Sequence, residues 1–190
     1  KLLLVCNSKK PVVLKLLQGL ILEKVLADFN IDHNERIVDI GAYCLMPNHF
    51  HLLVKEKMDG GISSFVKKIS TAYSMYFNKK YQRTGGLFEG TFKAIHADND
   101  NYLKYLFSYI HLNPVKIIDP QWRENGITDK QVAKDYLERY KYSSYLDYID
   151  LSRVEGNILN KASFPGYFLD KKDMDSHISD WLSFAEPLQG

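Results

Sequence analysis

Hydrophobic and polar positions repeat with two different periods along this chain. Over Val12–Phe29 and Ser63–Tyr81 the apolar residues recur at helical spacing, which predicts one amphipathic helix in each segment. The apolar segments Arg36–Ala42 and Tyr43–Val54 are typical of strands instead. The short apolar run Leu2–Val5 predicts a further strand or its remnant.

The pattern continues through the middle of the chain with elements punctuated by glycine and proline. Gly85–Lys93 predicts a strand or hairpin, and Ile95–Ala97 predicts a strand that closes the sheet. A helix is expected from about Asn101 to Leu112, and the Asn113-Pro114 step ends it because the residue before proline is pushed away from helical geometry. Beyond Pro120 the pattern is helical.

These elements together predict an α+β fold with an antiparallel sheet and packed helices. We expect one domain over residues 1–118. A helical C-terminal extension over residues 119–190 is expected to pack on the same domain.

Composition excludes several classes of protein. At 190 residues, with 45% hydrophobic and 25% charged residues, the chain is typical of an ordinary globular protein. It has no run of about eighteen apolar residues, so no membrane span is expected. Cys6 and Cys44 are the only cysteines and have no metal-type spacing, which predicts a reducing, cytoplasmic setting without disulfides.

Charge is distributed unevenly, although the net charge is only +2. Residues 55–93 hold eight Lys or Arg against three Asp or Glu, whereas residues 119–190 hold nine against thirteen. A basic middle beside an acidic C-terminal third indicates a surface for a polyanion. A lysine-rich, solvated helix surface explains the same numbers equally well.

His49 and His51 stand two positions apart in the second predicted strand. A strand places alternate residues on one face, so both imidazoles project together. Two such imidazoles form half of a divalent-metal site. The alternative is one buried structural histidine beside another at an edge. Met46-Pro47-Asn48 just before the pair favours the metal site, because a kink beside a sheet edge makes room for a ligand there.

Tyr109 and Asn113 are one helical turn apart, which puts a phenol and an amide on one side of a helix. The phenol is a candidate nucleophile, and the amide oxygen is a candidate third metal ligand. A metal, a phenol and such an oxygen are what phosphodiester cleavage through a phosphotyrosine requires. The alternatives are a core tyrosine and an asparagine that only caps the helix. His111 points elsewhere on a helix and is expected not to be a ligand.

The basic middle segment supplies the candidate contacts to nucleic acid. Its glycine-rich part would let a phosphate backbone approach closely while an aromatic ring stacks on a base, although a tight hairpin with core aromatics is an equal alternative. The expected DNA-binding residues are Lys67, Lys68, Lys79, Lys80, Arg83, Lys93 and Phe88.

Four blocks of sequence resemble one known family. Residues 42–54, Ala-Tyr-Cys-Leu-Met-Pro-Asn-His-Phe-His-Leu-Leu-Val, resemble the His-hydrophobe-His (HUH) motif of the single-tyrosine transposases. The other blocks follow in order, and the branch resembled most is that of the REP-associated tyrosine transposases, relatives of the insertion-sequence enzymes. These blocks are Gly-Leu-Phe-Glu-Gly-Thr-Phe-Lys at 86–93, Tyr-Ile-His-Leu-Asn-Pro-Val at 109–115 and Tyr-Ser-Ser-Tyr at 142–145.

The resemblance implies a ferredoxin-like sheet and a specific chemistry. It implies Mg²⁺- or Mn²⁺-dependent cleavage of single-stranded DNA near a hairpin, which leaves a 5′-phosphotyrosine and a free 3′-OH. Rejoining by a 3′-OH needs no ATP. Carried over residue by residue, His49 and His51 are metal ligands, Tyr109 is the nucleophile and Asn113 completes the metal site. The active unit is a monomer or a homodimer in which the tyrosine acts in trans.

Two departures and two rival functions accompany this interpretation. The strand with an aromatic-His pair that opens the family is not evident in Lys1–Lys10, and Tyr142 stands where the family has Trp. One rival is a domesticated, non-catalytic protein that binds DNA hairpins. The other is a phosphodiesterase that uses activated water without a covalent step.

Overall fold

The computed structural model describes residues 1–11, 33–168 and 171–183. The chain forms two compact units: Lys1–Asp39 with Val54–His96, and Ile40–Leu53 with Ala97–Gly190. The helix predicted over Val12–Phe29 lies outside the described residues. The boundary expected after residue 118 falls inside the second unit and stays a prediction.

Two strands pair in the described part of the chain, β1 over Val38–Leu45 and β2 over Phe50–Glu56. Four residues connect them, so the pair is antiparallel. Inside this connection the Met46 N–H donates to the His49 carbonyl at 2.8 Å. The prediction of one continuous strand through both histidines is therefore wrong, because His49 belongs to the turn and only His51 to β2.

The remaining described elements are helical, which confirms the α+β class. The ferredoxin-like arrangement of the sheet stays a prediction. The helices are Leu2–Val5, Gly61–Tyr81, Asp100–Leu112, Val115–Ile118, Trp122–Asn125, Lys130–Arg139, Tyr145–Tyr148 and Lys171–Ser183, with 3₁₀ turns at His33–Glu35, Val154–Ile158 and Lys161–Ser163.

The first unit begins with a helix where a strand was predicted. Leu2–Val5 forms one helical turn, and its consecutive residues Leu3, Leu4 and Val5 are buried. Period-two alternation cannot identify so short an apolar run, because all of its positions are covered. The Asn7 side chain then acts as a substitute strand partner for β1: its Oδ1 accepts from the Ile37 and Val38 N–H groups at 3.1 and 3.0 Å.

The long helix, Gly61–Tyr81, confirms the helix predicted over Ser63–Tyr81 and starts two residues earlier. It begins with glycine for a steric reason, since a Cβ on Gly61 would lie 2.6 Å from the Ile37 carbonyl oxygen. Its N-terminal half packs into the unit through four apolar side chains. These are Phe65, Val66, Ile69 and Ala72.

The strands predicted at Gly85–Lys93 and Ile95–Ala97 do not form. The structure describes this whole segment as irregular, and almost all of it is exposed. A strand needs a neighbouring strand to satisfy its backbone and a buried face to fix its register. Gly85 and Gly90 adopt positive φ angles of 91° and 70°, which turn the chain instead of extending it.

The second unit contains the tyrosine helix, Asp100–Leu112, close to the predicted bounds. Its N-terminus is capped by Asn99, whose Oδ1 accepts from the Tyr102 N–H at 2.8 Å. It ends at Leu112, directly before the Asn113-Pro114 step, as expected. Phe107, Ile110 and Leu112 are buried, so one side of this helix is anchored in the core of the unit.

Among the helices of the described residues, none combines the length and the hydropathy that a membrane span requires. Both cysteine thiols are buried and free, Cys6 in the first unit and Cys44 in the second. Burial raises the pKa of Cys6 to about 11 and that of Cys44 to about 12.

Candidate active site

His49 and His51 lie side by side although they belong to different elements. Their ring centroids are 5.0 Å apart and the rings are perpendicular. The His49 Nδ1 is 2.7 Å from the Oδ1 of Asn48, which holds the ring in place and leaves its other nitrogen unused by this contact. The turn therefore brings the two imidazoles together, as one continuous strand was expected to do.

The surroundings keep these two imidazoles neutral. Burial, and then the positive charges of His49, Arg123 and Lys116, lower the pKa of His51 to about 4. The pKa of His49 is lowered by partial burial and then by Lys116 and Arg123. A neutral imidazole has a lone pair for a metal, so both rings are in the metal-binding form at neutral pH.

Tyr109 lies beside this pair. Its ring centroid is 5.4 Å from that of His51, and the rings are again perpendicular. The residue is partly buried. A single chain therefore brings His51 and Tyr109 together.

The Asn113 amide bonds to the tyrosine helix at one end and to Arg123, from the short helix Trp122–Asn125, at the other. Its Nδ2 donates to the Tyr109 carbonyl at 2.7 Å, and its Oδ1 accepts from Arg123 Nη2 at 3.3 Å. The residue is only 2% exposed, so these bonds hold the amide in one orientation. Asn113 therefore caps the helix, which was the alternative to its role as a metal ligand. Its carboxamide oxygen keeps a second lone pair.

Arg123 is the site residue that the sequence did not reveal. Its guanidinium carbon lies 4.5 Å from the Tyr109 ring centroid, and the same group donates to Asn113. It comes from the short helix Trp122–Asn125. No spacing rule relates this helix to Tyr109. The neighbouring Trp122 is 5% exposed, and its burial anchors the helix that carries the guanidinium.

His111 lies in the core of the second unit, and the expectation that it is not a metal ligand stays a prediction. Its imidazole is fully buried, with Nε2 2.7 Å from the Ser144 Oγ. Burial lowers its pKa to about 3, so it is neutral at neutral pH. The Ser144 Oγ also accepts from the Tyr43 N–H at 2.9 Å. The Tyr-Ser-Ser-Tyr block therefore ties β1, which leads to the histidines, to the helix that carries Tyr109.

The expected DNA-binding residues all belong to the first unit, and the structure gives them different surroundings. The ammonium of Lys68 is engaged by the carbonyls of Ser8 and Lys10, so this lysine holds the N-terminal segment. The side chains of Lys67, Lys79, Lys80, Arg83, Lys93 and Phe88 are exposed.

Two neutral imidazoles side by side have the donor chemistry that a divalent cation can use. Among the described residues, no three His, Cys, Asp or Glu side chains converge as a metal-binding group. An ion held by His49 and His51 would have to complete its shell with the Asn113 oxygen, water or phosphate oxygens.

The comparisons with known proteins identify the family. The family model described as "Transposase IS200 like" matches residues 2–113, which is more than half of the chain and includes His49, His51, Tyr109 and Asn113. The chain belongs to this family of IS200-like transposases, enzymes that cleave DNA and move it by recombination. No curated protein and no solved structure matches the chain. Its place in the REP-associated branch stays a prediction.

Proposed function

We propose that this transposase is a metal-dependent nickase that acts on single-stranded DNA near hairpins and rejoins it through a 5′-phosphotyrosine at Tyr109. The observation that carries the proposal is the 5.4 Å approach of the Tyr109 ring to His51, with His49 beside it. Membership of the transposase family supports the same reaction class. The working location we expect is the cytoplasm, where single-stranded DNA forms during replication or transcription.

In the proposed reaction the Tyr109 Oη attacks the phosphorus of one phosphodiester. The new bond joins this oxygen to phosphorus, and the bond between phosphorus and the 3′ oxygen breaks. The phenol loses its proton, and the departing 3′ oxygen gains one. Attack by a 3′-OH reverses these changes on the same or another strand, so the bond energy is conserved and no nucleotide cofactor is needed.

The side chains around Tyr109 prepare the phenol for this attack. The Arg123 guanidinium lies against the ring and limits its rotation, and its charge favours the approach of a phosphate. Asn113 fixes Arg123 to the end of the tyrosine helix. His111, through Ser144, holds this helix against β1. Positioning of this kind supplies a large share of the rate in phosphoryl transfer.

A divalent cation belongs to the proposed site as well. His49 and His51 would hold it, with the Asn113 oxygen as a further ligand. When bound, such an ion polarises a phosphate oxygen and offsets the negative charge that develops during transfer. The cations Arg123 and Lys116 lie near the imidazoles and would weaken metal binding until phosphate adds its negative charge.

The experiment that tests the function uses hairpin DNA with a single-stranded flank, Mn²⁺ and a denaturing gel. DNA labelled at its 3′ end should run as a slow protein-linked band, whereas DNA labelled at its 5′ end should give a short free fragment. This asymmetry is the signature of a 5′-phosphotyrosine. Chelator should abolish both products. Binding without either product, over several hairpins, would favour the non-catalytic hairpin-binding protein.

Replacing His51 by Ala is expected to lower adduct formation more than about a hundredfold, because one of two imidazole donors is lost. In a Tyr109→Phe background, which forms no adduct, the same variant should bind Mn²⁺ more weakly in a calorimetric titration of the protein–DNA complex, a readout that does not depend on cleavage. His96→Ala is the matched control, since His96 is exposed and belongs to the other unit. Equal activity of both variants would contradict a metal role for His51.

The active site is expected to act in cis, since one chain brings His51 and Tyr109 together. A mixture of His51→Ala and Tyr109→Phe proteins should therefore form no more adduct than either protein alone. If the tyrosine acted in trans within a homodimer, an equal mixture would restore about a quarter of the activity, because half of the dimers would be mixed and each would have one of its two sites intact. The adduct band of the mixture is the measurement.

A further inference from the structure

The C-terminal half of the long helix carries a group of aromatic side chains that the proposed chemistry does not use. Tyr73, Phe77 and Tyr81 are one turn apart, with ring centroids separated by 6.1 and 4.5 Å. Tyr76 lies 6.3 Å from Tyr73, and Phe88 folds back to 6.1 Å from the same ring. We call these five rings the aromatic row.

The aromatic row is largely exposed, in contrast to the buried apolar side chains in the N-terminal half of this helix. The buried side chains of the long helix end at Ala72, and none of the residues after it is buried. Four rings of the row have large exposed fractions: 39% for Tyr73, 49% for Tyr76, 56% for Tyr81 and 37% for Phe88. Single exposed apolar residues are common on protein surfaces, whereas a cluster of exposed rings marks a binding surface.

The charges around the aromatic row have one sign. From Gly61 to Phe88 the chain carries five Lys or Arg and no Asp or Glu. Two of these cations lie on the rings themselves: Lys80 Nζ is 5.1 Å from the Tyr81 centroid, and the Arg83 guanidinium is 5.6 Å from that of Phe77. The surface therefore offers flat apolar faces and positive charges in alternation.

From this arrangement we propose that the aromatic row binds unpaired bases of single-stranded DNA by stacking, while Lys79, Lys80 and Arg83 contact its phosphates. Base stacking on aromatic rings next to a basic track is how proteins hold single strands without reading their sequence. From Tyr73 to Tyr81 the helix rises ~12 Å, enough for about three nucleotides. A second copy of this chain fits less well, because two basic faces would repel each other.

This proposal rests on the proposed function in one respect: the bound single strand is the DNA on which Tyr109 acts. It is tested in the full-length protein by fluorescence anisotropy of a short labelled oligothymidylate, with chelator present so that no cleavage occurs. Tyr81→Leu should weaken binding about fivefold or more, because the apolar surface remains while the ring is lost. Tyr81→Phe should bind like the wild type. Tyr76→Leu and Tyr76→Phe repeat the comparison at a second exposed ring.

Met75→Ala is the matched control, since Met75 is apolar, 59% exposed and on the same helix. Unchanged affinity of both leucine variants would overturn the proposal. A second result would also overturn it: the wild type is a dimer, and the leucine variants are monomers that bind DNA as tightly as the wild type. The aromatic row would then bind a second copy of the chain. If the wild-type protein binds oligothymidylate but forms no adduct at Tyr109, the result would contradict the proposed cleavage reaction. It would not contradict base stacking on the aromatic row.

Discussion

Replacing Tyr109 by Phe is expected to abolish the covalent protein–DNA adduct, with a loss of roughly a thousandfold or more in the rate of its formation. The substitution removes one oxygen atom, the proposed nucleophile, and keeps the ring. The contacts of that ring with His51, Tyr105 and the Arg123 guanidinium therefore persist. Folding and hairpin binding should stay within experimental error of the wild type. The measurements are the adduct band and the affinity for the hairpin.

Tyr105→Phe is the matched control for this experiment. Tyr105 is on the same helix, and its ring centroid is 5.8 Å from that of Tyr109, so both variants make the same chemical change in neighbouring positions. The control should form adduct at the wild-type rate. If the adduct still forms in Tyr109→Phe and is lost in Tyr105→Phe, the nucleophile is Tyr105, one helical turn away. Cleavage without adduct in Tyr109→Phe would instead indicate activated water.

Arg153→Ala is expected to have the largest effect on folding, with a loss of about 3–5 kcal/mol in the free energy of unfolding. The Arg153 guanidinium donates to both Asp147 carboxylate oxygens, at 2.8 and 2.5 Å, and to the Tyr43 hydroxyl at 3.0 Å. It also binds the carbonyls of Lys141 and Ser143. The side chains of this ion pair are only 11% and 4% exposed, so alanine would leave the Asp147 charge buried without its partner.

Urea denaturation of the variant measures this loss, with Arg139→Ala as the control. Arg139 is exposed, and its removal should change the free energy of unfolding by less than about 0.5 kcal/mol. The double variant Arg153→Met with Asp147→Leu should lose less stability than Arg153→Ala alone, since no unpaired charge is then buried. Equal losses in the double and single variants would show that packing, not charge, governs this site.

The ion pair is connected to the active site through the Tyr-Ser-Ser-Tyr block. Arg153 binds the Ser143 carbonyl, and the next residue, Ser144, contacts both Tyr43 and His111. Weakening Arg153 therefore loosens the support that holds the tyrosine helix against β1. The resemblance stated in the sequence analysis includes this block, but its role as a connector follows from its hydrogen bonds alone.

Much of the fold followed from local patterns in the sequence. The long helix, the tyrosine helix and the α+β class were predicted correctly, because apolar periodicity and capping residues act within a few positions of one another. The strands predicted within 85–97 were wrong, since a strand depends on a distant partner that no local pattern encodes. Leu2–Val5 was wrong for a related reason: a run this short has the same composition in either state.

Local patterns in the chain were enough to identify the candidate chemical groups. They include the two imidazoles of His49 and His51 and the one-turn spacing of Tyr109 and Asn113, and these groups stay close together although His49 lies in a turn. Long-range packing alone places Arg123 over the Tyr109 ring and links His111 to Tyr43 through Ser144. Such contacts join residues far apart along the chain. Their neighbours Trp122, Tyr43 and Tyr145 are buried, and removal of these side chains from water fixes the positions of the contacts.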